Sequence, residues 1–226
     1  MENDMNINND LTLPATVFFN ESTWVPSPLK GVSRKMLERD GAEFAATPTT
    51  LVAYEANSHF TNHVHTGGEE FLVLEGVFAD EHGEYPIGTY KRNPVGTEHA
   101  PIVKDGCMII VKLGQFQNGD NQDVEINTAD QVFIQDENRT AVQYQSLHTF
   151  KQEVVRLERW ASNSHISLNN IGGIEVLVVN GEFSHQGDVY RQFDWLRLPI
   201  GEALDITTTS DDCTVWIKTG HHSYRL

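Results

Sequence analysis

The chain contains one sequence unit twice, and this duplication constrains the fold more than any other feature. HTGGEEFLVLEGVF begins at residue 65 and NIGGIEVLVVNGEF at residue 170, an offset of 105. NPVG (93–96) and LPIG (198–201) keep the same offset, and DGCMIIVK (105–112) matches DDCTVWIK (211–218) one residue further on. A unit that occurs twice indicates duplication of a domain rather than a solenoid array.

Two shorter resemblances extend the repeat upstream. VFF (17–19) is similar to VFI (132–134), and KMLERD (35–40) is similar to VRLERW (155–160). The predicted domain boundaries are residues 11–120 and 129–226, with the polar, acidic segment GDNQDVEINTAD as the linker. Residues 1–10 are predicted to be a disordered acidic leader.

The pattern within each unit predicts an all-β fold. Short apolar runs such as TLVAYEA, EFLVLEGVF and CMIIVKL alternate with turn signals such as GG, HGEYPIG and NPVG. No long segment keeps a 3.6-residue apolar period, so helices should be few and short. Small units of this kind often close into jelly-roll barrels, which removes exposed sheet edges. We therefore expect two tandem jelly-roll β-barrels.

Composition excludes several classes of protein. The formal net charge is −16 and no basic stripe is present, which argues against nucleic-acid binding. No apolar run reaches the roughly 18–20 residues of a membrane helix, and the first residues lack the features of a secretory signal. We expect a cytoplasmic location. Cys107 and Cys213 lie in apolar strand patterns and are expected to be buried, unreactive thiols.

A polar cluster precedes the strand of the first unit. His63 and His65 alternate on one strand face, and Glu69 follows a Thr-Gly-Gly turn on the face of Phe71 and Val73. A carboxylate beside two imidazoles in a barrel interior is costly unless a cation compensates it. A further histidine, His99, follows a Pro-Val-Gly turn. Glu70 and Glu98 adjoin these residues, but strand alternation points both away from them.

These two segments resemble the two signature motifs of the cupin superfamily. The first motif is His63-Val-His65, three residues, Glu69, six residues, Gly76, and the second joins Gly88, Pro94-Val-Gly96 and His99. The sequence departs from the pattern where Asn57 replaces a glycine and Val103 replaces an asparagine. Residues 30–115 are closest to the ChrR-like cupins, whose domain occurs at the C-terminus of zinc-dependent anti-sigma factors.

The resemblance implies that His63, His65, Glu69 and His99 bind one divalent metal ion. Zinc and iron are the leading candidates, and manganese and nickel also suit the ligands, because affinity order alone does not select the metal. A divalent ion with neutral histidines and one carboxylate carries a net charge of about +1. The site would therefore favour an anionic or enolate ligand.

The second unit lacks these residues. At the repeat offset the four positions are Leu168, Asn170, Ile174 and Leu204. We predict a degenerate cupin domain without metal ligands. Its expected role is structural, although an emptied pocket could bind an apolar molecule.

The remaining histidines are weaker candidates for metal binding. His59 should lie on the surface or behind the ligands, and His82 should be solvated in a turn. Five others lack carboxylate partners at ligand spacing: His148, His165, His185, His221 and His222.

Two functions of different class remain open. The first is a sensory or regulatory module that responds to a small molecule or reactive oxygen species and signals to a protein partner. The chain lacks the helical His-x3-Cys-x2-Cys zinc module of the anti-sigma relatives. The second is a metal-dependent dioxygenase that acts on a small diketone-like or phenolic substrate. The two apolar faces of strand 70–77 leave both a monomer and a homodimer open.

Overall fold

The structure is a computed structural model, and it describes residues 6–41, 47–209 and 211–225. The chain divides into two compact units. Unit 1 comprises Met1–Asn9 and Thr23–Asp130, and unit 2 comprises Asp10–Ser22 and Gln131–Leu226. Within the described residues the only helices are two short 3-10 turns, Thr128–Asp130 and His222–Tyr224. The predicted all-β class is confirmed.

The first thirteen strands of the described chain run from Ala15 to Asn127. They are β1 (Ala15–Val17), β2 (Val25–Pro26), β3 (Val32–Glu38), β4 (Thr49–Tyr54), β5 (Ser58–His59), β6 (His63–Val64), β7 (Glu69–Asp80), β8 (Gly83–Pro86), β9 (Thr89–Asn93), β10 (Glu98–His99), β11 (Ile102–Val103), β12 (Cys107–Leu113) and β13 (Val124–Asn127).

The remaining strands belong to unit 2. They are β14 (Ile134–Gln135), β15 (Val142–Phe150), β16 (Glu153–Trp160), β17 (His165–Leu168), β18 (Ile174–Asn180), β19 (Phe183–His185), β20 (Asp188–Tyr190), β21 (Trp195–Leu198), β22 (Leu204–Thr208) and β23 (Cys213–Thr219).

The two units share one strand order. The large sheet of unit 1 runs β13-β9-β7-β12-β4-β3-β2, and that of unit 2 runs β1-β21-β18-β23-β16-β15-β14. Smaller sheets complete each unit: β10-β6 and β11-β5 in unit 1, and β17-β22-β19-β20 in unit 2. Each element of one sheet has a counterpart at the same place in the other, which confirms two tandem domains of the same fold.

Strand order corrects the predicted boundaries. The segment that contains β1 belongs to unit 2, because β1 pairs with β21, whereas the prediction placed residues 11–22 in the first domain. Its counterpart β13 pairs with β9 in unit 1. Each unit therefore takes its edge strand from a segment that precedes the other unit's repeat. A sequence comparison finds similar segments but not the sheet that each one joins.

Part of the predicted disordered leader is also ordered. Residues 1–5 lie outside the described residues, but Ile7 exchanges two backbone hydrogen bonds with Arg39, at 2.9 and 2.7 Å. The side chain of Asn8 donates to the Leu37 carbonyl at 2.7 Å. Ile7 and Asn8 are thus not part of a free leader, because backbone pairing and a side-chain hydrogen bond tie them to unit 1.

Strand order also shows that the segments in the two upstream resemblances do not occupy equivalent positions in the two units, so this part of the predicted repeat was wrong. KMLERD lies mainly on β3 and VRLERW on β16, yet the counterpart of β3 is β15 and that of β16 is β4. Likewise VFF ends β1, whereas VFI leads into β14, the counterpart of β2. Short strands on neighbouring positions carry similar apolar patterns, so similarity alone did not identify the correct partner.

The Gly-Gly turn before β7 and β18 has the same physical basis in both units. A Cβ on Gly67 would lie 2.4 Å from Gly114, and one on Gly172 would lie 2.7 Å from Gly220, so both positions exclude a side chain. The second glycine has a positive φ, +80° at Gly68. The turn therefore brings the first residue of each central strand against β12 or β23.

Strand β7 connects the two layers of unit 1. Its first residues pair with β9 and β12, and its last residues pair with β8 in a separate hairpin. A bulge opposite Met108 and Ile109 changes the register part-way along it. The barrel core on its inner face includes Phe71, Val73 and Phe78. One strand thus places residues from its two ends near the same opening of the barrel.

Candidate metal centre

The pairing of β6 with β10 brings together two of the four predicted ligands, His63 and His99. His63 and His99 lie directly opposite each other in this antiparallel pair. Side chains in such positions face the same side of the sheet at close range. Their ring centroids are 4.9 Å apart. His63 is exposed, whereas His99 is 2% exposed.

Backbone hydrogen bonds and a strand pair fix the other two predicted ligands. The His65 amide donates to the Thr97 carbonyl at 2.8 Å, and the Gly96 amide donates to the His65 carbonyl at 2.9 Å. Glu69 opens β7 opposite Asn93 of β9, and the Asn93 amide donates to Glu69 Oε2 at 2.9 Å. Both ligands are therefore held by the loop and strand around the Pro-Val-Gly turn.

The four predicted ligands converge. One ligand atom from each of His63, His65, Glu69 and His99 lies within 4.8 Å of the others. Glu69 Oε2 is 3.4 Å from His65 Nε2 and 3.7 Å from His99 Nε2. No other group among the described residues brings three or more candidate ligands together in this way. Three imidazoles and one carboxylate are a donor set that divalent transition metals accept.

In each of the three imidazoles, Nδ1 donates a hydrogen bond to an oxygen atom. His99 Nδ1 donates to Asp80 Oδ2 at 3.0 Å, and His63 Nδ1 donates to the Thr61 carbonyl at 3.3 Å. The Thr97 hydroxyl donates to the Pro94 carbonyl at 2.7 Å and so accepts from His65 Nδ1 at 3.0 Å. The proton of each neutral ring therefore resides on Nδ1, which leaves the Nε2 lone pairs facing one another.

These lone pairs provide a test of whether a metal fits. The Nε2 atoms of His65 and His99 are buried and have no hydrogen-bond partner. An unsatisfied buried polar atom costs free energy, and native structures rarely keep two of them side by side. A metal ion would satisfy both atoms together with Glu69, so the residues present fit the group.

The electrostatics differ between the two buried histidines. Burial lowers the pKa of His65, and the Glu69 charge only partly opposes this shift. Burial also acts to lower the pKa of His99, but the hydrogen bond to Asp80 and the charges of Glu69 and Asp80 outweigh it and raise the pKa. Asp80 in turn has a lowered pKa because, although burial opposes this, it accepts hydrogen bonds from His99, His82 and Tyr85.

Three residues that support the ligands were missed from the sequence. Asp80, Asn93 and Thr97 hold His99, Glu69 and His65 respectively. The Asp80 charge also changes the predicted balance, because a divalent ion with Glu69 and Asp80 sums to zero rather than +1. The signal for Asn93 and Thr97 was their position inside the second motif. Asp80 gave no local signal, since only the bend of β7 brings it to His99.

Other polar residues near the motifs lie where alternation predicted. Glu70 is buried and accepts from Arg92 at 2.8 Å and from the Tyr90 hydroxyl at 3.0 Å, away from the cluster. Glu98, His59 and His82 are exposed. Burial raises the pKa of the Cys107 thiol and, with the Glu182 charge, that of the Cys213 thiol, each to about 12, and both thiols are free and buried as predicted.

Two of the histidines that lack a carboxylate at ligand spacing in the sequence have one nearby in the fold. His221 Nε2 lies 3.2 Å from Glu175 Oε2, and His165 Nε2 contacts Asp205 Oδ1. These partners come from other strands and are remote in sequence. Neither pair forms a group of three metal-ligand atoms among the described residues.

The equivalent positions of unit 2 are confirmed by strand register. Leu168 lies opposite Leu204 as His63 lies opposite His99, and Ile174 lies opposite Leu198 as Glu69 lies opposite Asn93. The remaining position, Asn170, donates to the carbonyls of Leu198, Pro199 and Glu202, at 3.3, 2.8 and 3.0 Å. Its side chain holds the loop, and the described residues of unit 2 contain no group of three or more candidate metal ligands.

The duplicated barrel, with a three-histidine, one-glutamate cluster in one copy, defines the class as a two-domain cupin. A family model described as the ChrR Cupin-like domain matches residues 13–117 and again residues 121–223. The chain belongs to this family. No curated protein sequence matches the chain.

Solved structures share the fold at low sequence identity. A candidate dioxygenase from Nostoc punctiforme has a TM-score of 0.72 and 11% identity, over 96% of this chain and 82% of that chain. The bacterial pirin YhhW of Escherichia coli, solved with nickel(II), has a TM-score of 0.67 and 14% identity over 92% and 99% of the two chains. An oxalate decarboxylase from Bacillus subtilis has a TM-score of 0.62 and 11% identity over 97% and 79%.

Within the described residues no helix has the length and hydropathy needed to cross a membrane.

Proposed function

We propose that the chain is a divalent-metal enzyme of the dioxygenase type, acting on a small diketone-like or phenolic compound at unit 1. One observation supports this most directly. His63 is exposed, whereas His65, Glu69 and His99 are 5%, 6% and 2% exposed. The cluster is therefore buried on one side and reachable from solvent on the other, as a site that exchanges small ligands requires.

The residues of the chain define the chemistry of this site. A bound metal would supply a Lewis-acidic centre for an enolate or phenolate oxygen and, if the metal is iron, positions for dioxygen. Asp80 and Thr97 keep the ligand nitrogens deprotonated, and Asn93 fixes the orientation of Glu69. These outer partners would maintain the ligand geometry while small molecules enter and leave.

The interior next to the cluster is aromatic. Tyr54, Phe71, Phe78 and Tyr85 line the core of unit 1, and the Phe78 ring lies 5.9 Å from that of His99. Burial, together with the Glu69 and Cys107 charges, raises the pKa of Tyr54, so its phenol stays neutral and can donate a hydrogen bond. A planar, partly apolar compound with an anionic oxygen would suit this lining.

The structural neighbours support metal chemistry on this fold. They include the candidate dioxygenase, the nickel-bound pirin and the oxalate decarboxylase, which has been studied for its Mn(II) centres. The shared fold does not select a reaction, so the enzyme proposal rests on the accessible cluster.

Metal analysis and oxygen uptake test the enzyme proposal. Protein purified without added metal should contain iron, and it should consume oxygen with acetylacetone or a catechol as the probe. His99→Ala should lose both properties, and Asn170→Ala, at the position in unit 2 that corresponds to His65, should keep both. Zinc at full occupancy with no oxygen uptake for either probe would contradict the proposal.

A sensory or regulatory role is the second candidate, and the family match supports it. ChrR-like domains resemble the C-terminal part of zinc-dependent anti-sigma factors, so a metal site that responds to reactive oxygen species and signals to a protein partner is consistent with the family. This role predicts tightly bound zinc and no oxygen uptake with either probe. Iron in the parent protein together with oxygen uptake would count against it.

A further inference from the structure

Unit 2 has a pocket at the place where unit 1 has its histidine cluster. The pocket is about 300 Å³ in volume, and its wall includes Leu168, Asn170 and Ile174. These positions correspond to His63, His65 and Glu69 by strand register and by the repeat offset. The volume lies at the lower end of the range for small-molecule sites. The second barrel has therefore lost the ligand residues and kept an opening.

One side of this pocket is apolar. Val154 of β16 and Ile174 of β18 flank Thr219 of β23, and Ile217 of β23 and Leu168 of β17 complete the wall. Deeper in the barrel Trp160, Phe183 and Tyr190 fill the core, with Phe183 stacked on Tyr190 at a centroid distance of 4.9 Å. A ligand would therefore occupy the mouth of the barrel and not its centre.

The other side is polar and charged. Arg139 donates to both oxygens of Glu158, at 2.9 and 2.6 Å, and to Asp136 at 2.8 Å. Asp136 also accepts from the backbone amides of Asn138 and Arg139, at 3.0 and 3.1 Å. Arg139 therefore makes most of the hydrogen bonds to the two carboxylates, and Arg156, whose Nη1 is 3.2 Å from Asp136 and 3.8 Å from Glu158, supplies the second positive charge.

Arg156 is a side chain of this wall that has hydrogen-bond donors without an acceptor. Its Nη1 donates to Asp136 at 3.2 Å, and the guanidinium lies 4.0 Å from the centre of the Tyr144 ring. In the part of the chain that the structure describes, Nε and Nη2 have no hydrogen-bond partner. The side chain is 29% exposed and lines the pocket.

We propose that this pocket binds a small amphipathic carboxylate. The carboxylate would accept from Nε and Nη2 of Arg156, which form the planar fork that suits two carboxylate oxygens. The aliphatic body would lie on Val154, Ile174 and Ile217, whose surface favours an apolar group. A neutral apolar molecule would leave the Arg156 donors unused.

Calorimetric titration of the full chain with hexanoate tests the proposal. We expect saturable binding at millimolar concentrations or below. Hexan-1-ol, which lacks the charge, should bind about tenfold more weakly or worse, since a hydrogen bond to a charged group exceeds a neutral one by that order. Equal binding of the alcohol would overturn the proposal, as would no saturable binding of hexanoate.

Variants separate this pocket from the histidine cluster, where a metal could also bind a carboxylate. Arg156→Gln should weaken hexanoate binding about tenfold or more, and Arg191→Gln is the matched control, an exposed arginine of unit 2 paired with Glu182. Leu168→Trp, which fills the mouth and spares Arg156, should block binding even if Arg156→Gln folds poorly. His99→Ala should bind hexanoate normally. Loss in His99→Ala with retention in Arg156→Gln would assign the ligand to unit 1 and overturn the proposal.

Discussion

The two units place different residue types on the same strand framework. Where unit 1 has opposed histidines on β6 and β10, unit 2 has opposed leucines on β17 and β22. Tyr54 lies opposite Cys107 as Trp160 lies opposite Cys213, so a larger ring fills the second barrel. The comparison shows that the same strand framework forms with the polar cluster in unit 1 and without it in unit 2. The polar cluster is separable from the framework.

The largest expected difference between the units is in metal content. His99→Ala should reduce bound metal to near zero, because it removes one of the four ligand groups. Leu204→Ala, at the equivalent position, should keep the metal and lower the free energy of unfolding by about 2–5 kcal/mol through cavity formation. Elemental analysis and urea unfolding measure the two effects. Full occupancy in His99→Ala, or two ions in the parent chain, would show that the site is wrongly assigned.

The second difference is in core stability. Trp160 is fully buried, and its indole N–H donates to Glu158 at 2.8 Å. Trp160→Ala should therefore lower the free energy of unfolding by about 3–5 kcal/mol. Tyr54→Phe, at the equivalent position, removes only a hydroxyl and should cost about 1 kcal/mol or less. Urea denaturation compares the two variants. A cost for Trp160→Ala as small as that for Tyr54→Phe would mean that the second barrel does not depend on this ring.

A third difference concerns the residue that orients His99. Asp80→Asn removes the charge that His99 Nδ1 faces at 3.0 Å and should weaken metal affinity by about 10–100-fold without abolishing binding. The equivalent residue in unit 2 is His185, which contacts the Asp205 carbonyl at 2.7 Å. His185→Gln should leave the affinity unchanged. Competition with a chelator measures the metal affinity of both variants. An unchanged affinity in Asp80→Asn would show that Asp80 does not support the metal site.

The smallest expected effect concerns acid stability of unit 2. Burial alone would raise the pKa of Asp136, but hydrogen bonds from Arg139 and Asn138 and the Arg139 charge lower it below 3.8. A carboxyl group whose pKa is lowered by folding stabilises the folded state at pH values above its ordinary pKa. This contribution is lost as the pH falls through the lowered pKa. Asp136→Asn should cost about 1–2 kcal/mol at neutral pH. Below pH 3.8 the cost should shrink. Urea unfolding at both pH values tests this, and a pH-independent cost would contradict it.

The sequence by itself determined the all-β class, the duplication and the four converging residues. Glycine spacing, strand alternation and the two histidine motifs are local patterns, and each constrains the backbone within a few residues. The loss of the cluster in unit 2 was equally visible, because the repeat offset from 65 to 170 identifies each replaced position.

Only the tertiary structure decided which strand joins which sheet and which residues support the cluster. The edge strand β1 pairs within unit 2 although the prediction placed it in the first domain, and β13 pairs within unit 1 although the prediction placed it in the linker. Asp80 reaches His99 only through the bend of β7, and Arg156 reaches the pocket of unit 2 only through the closing of the barrel. Contacts between strands remote in sequence depend on folded geometry, which a local pattern does not contain.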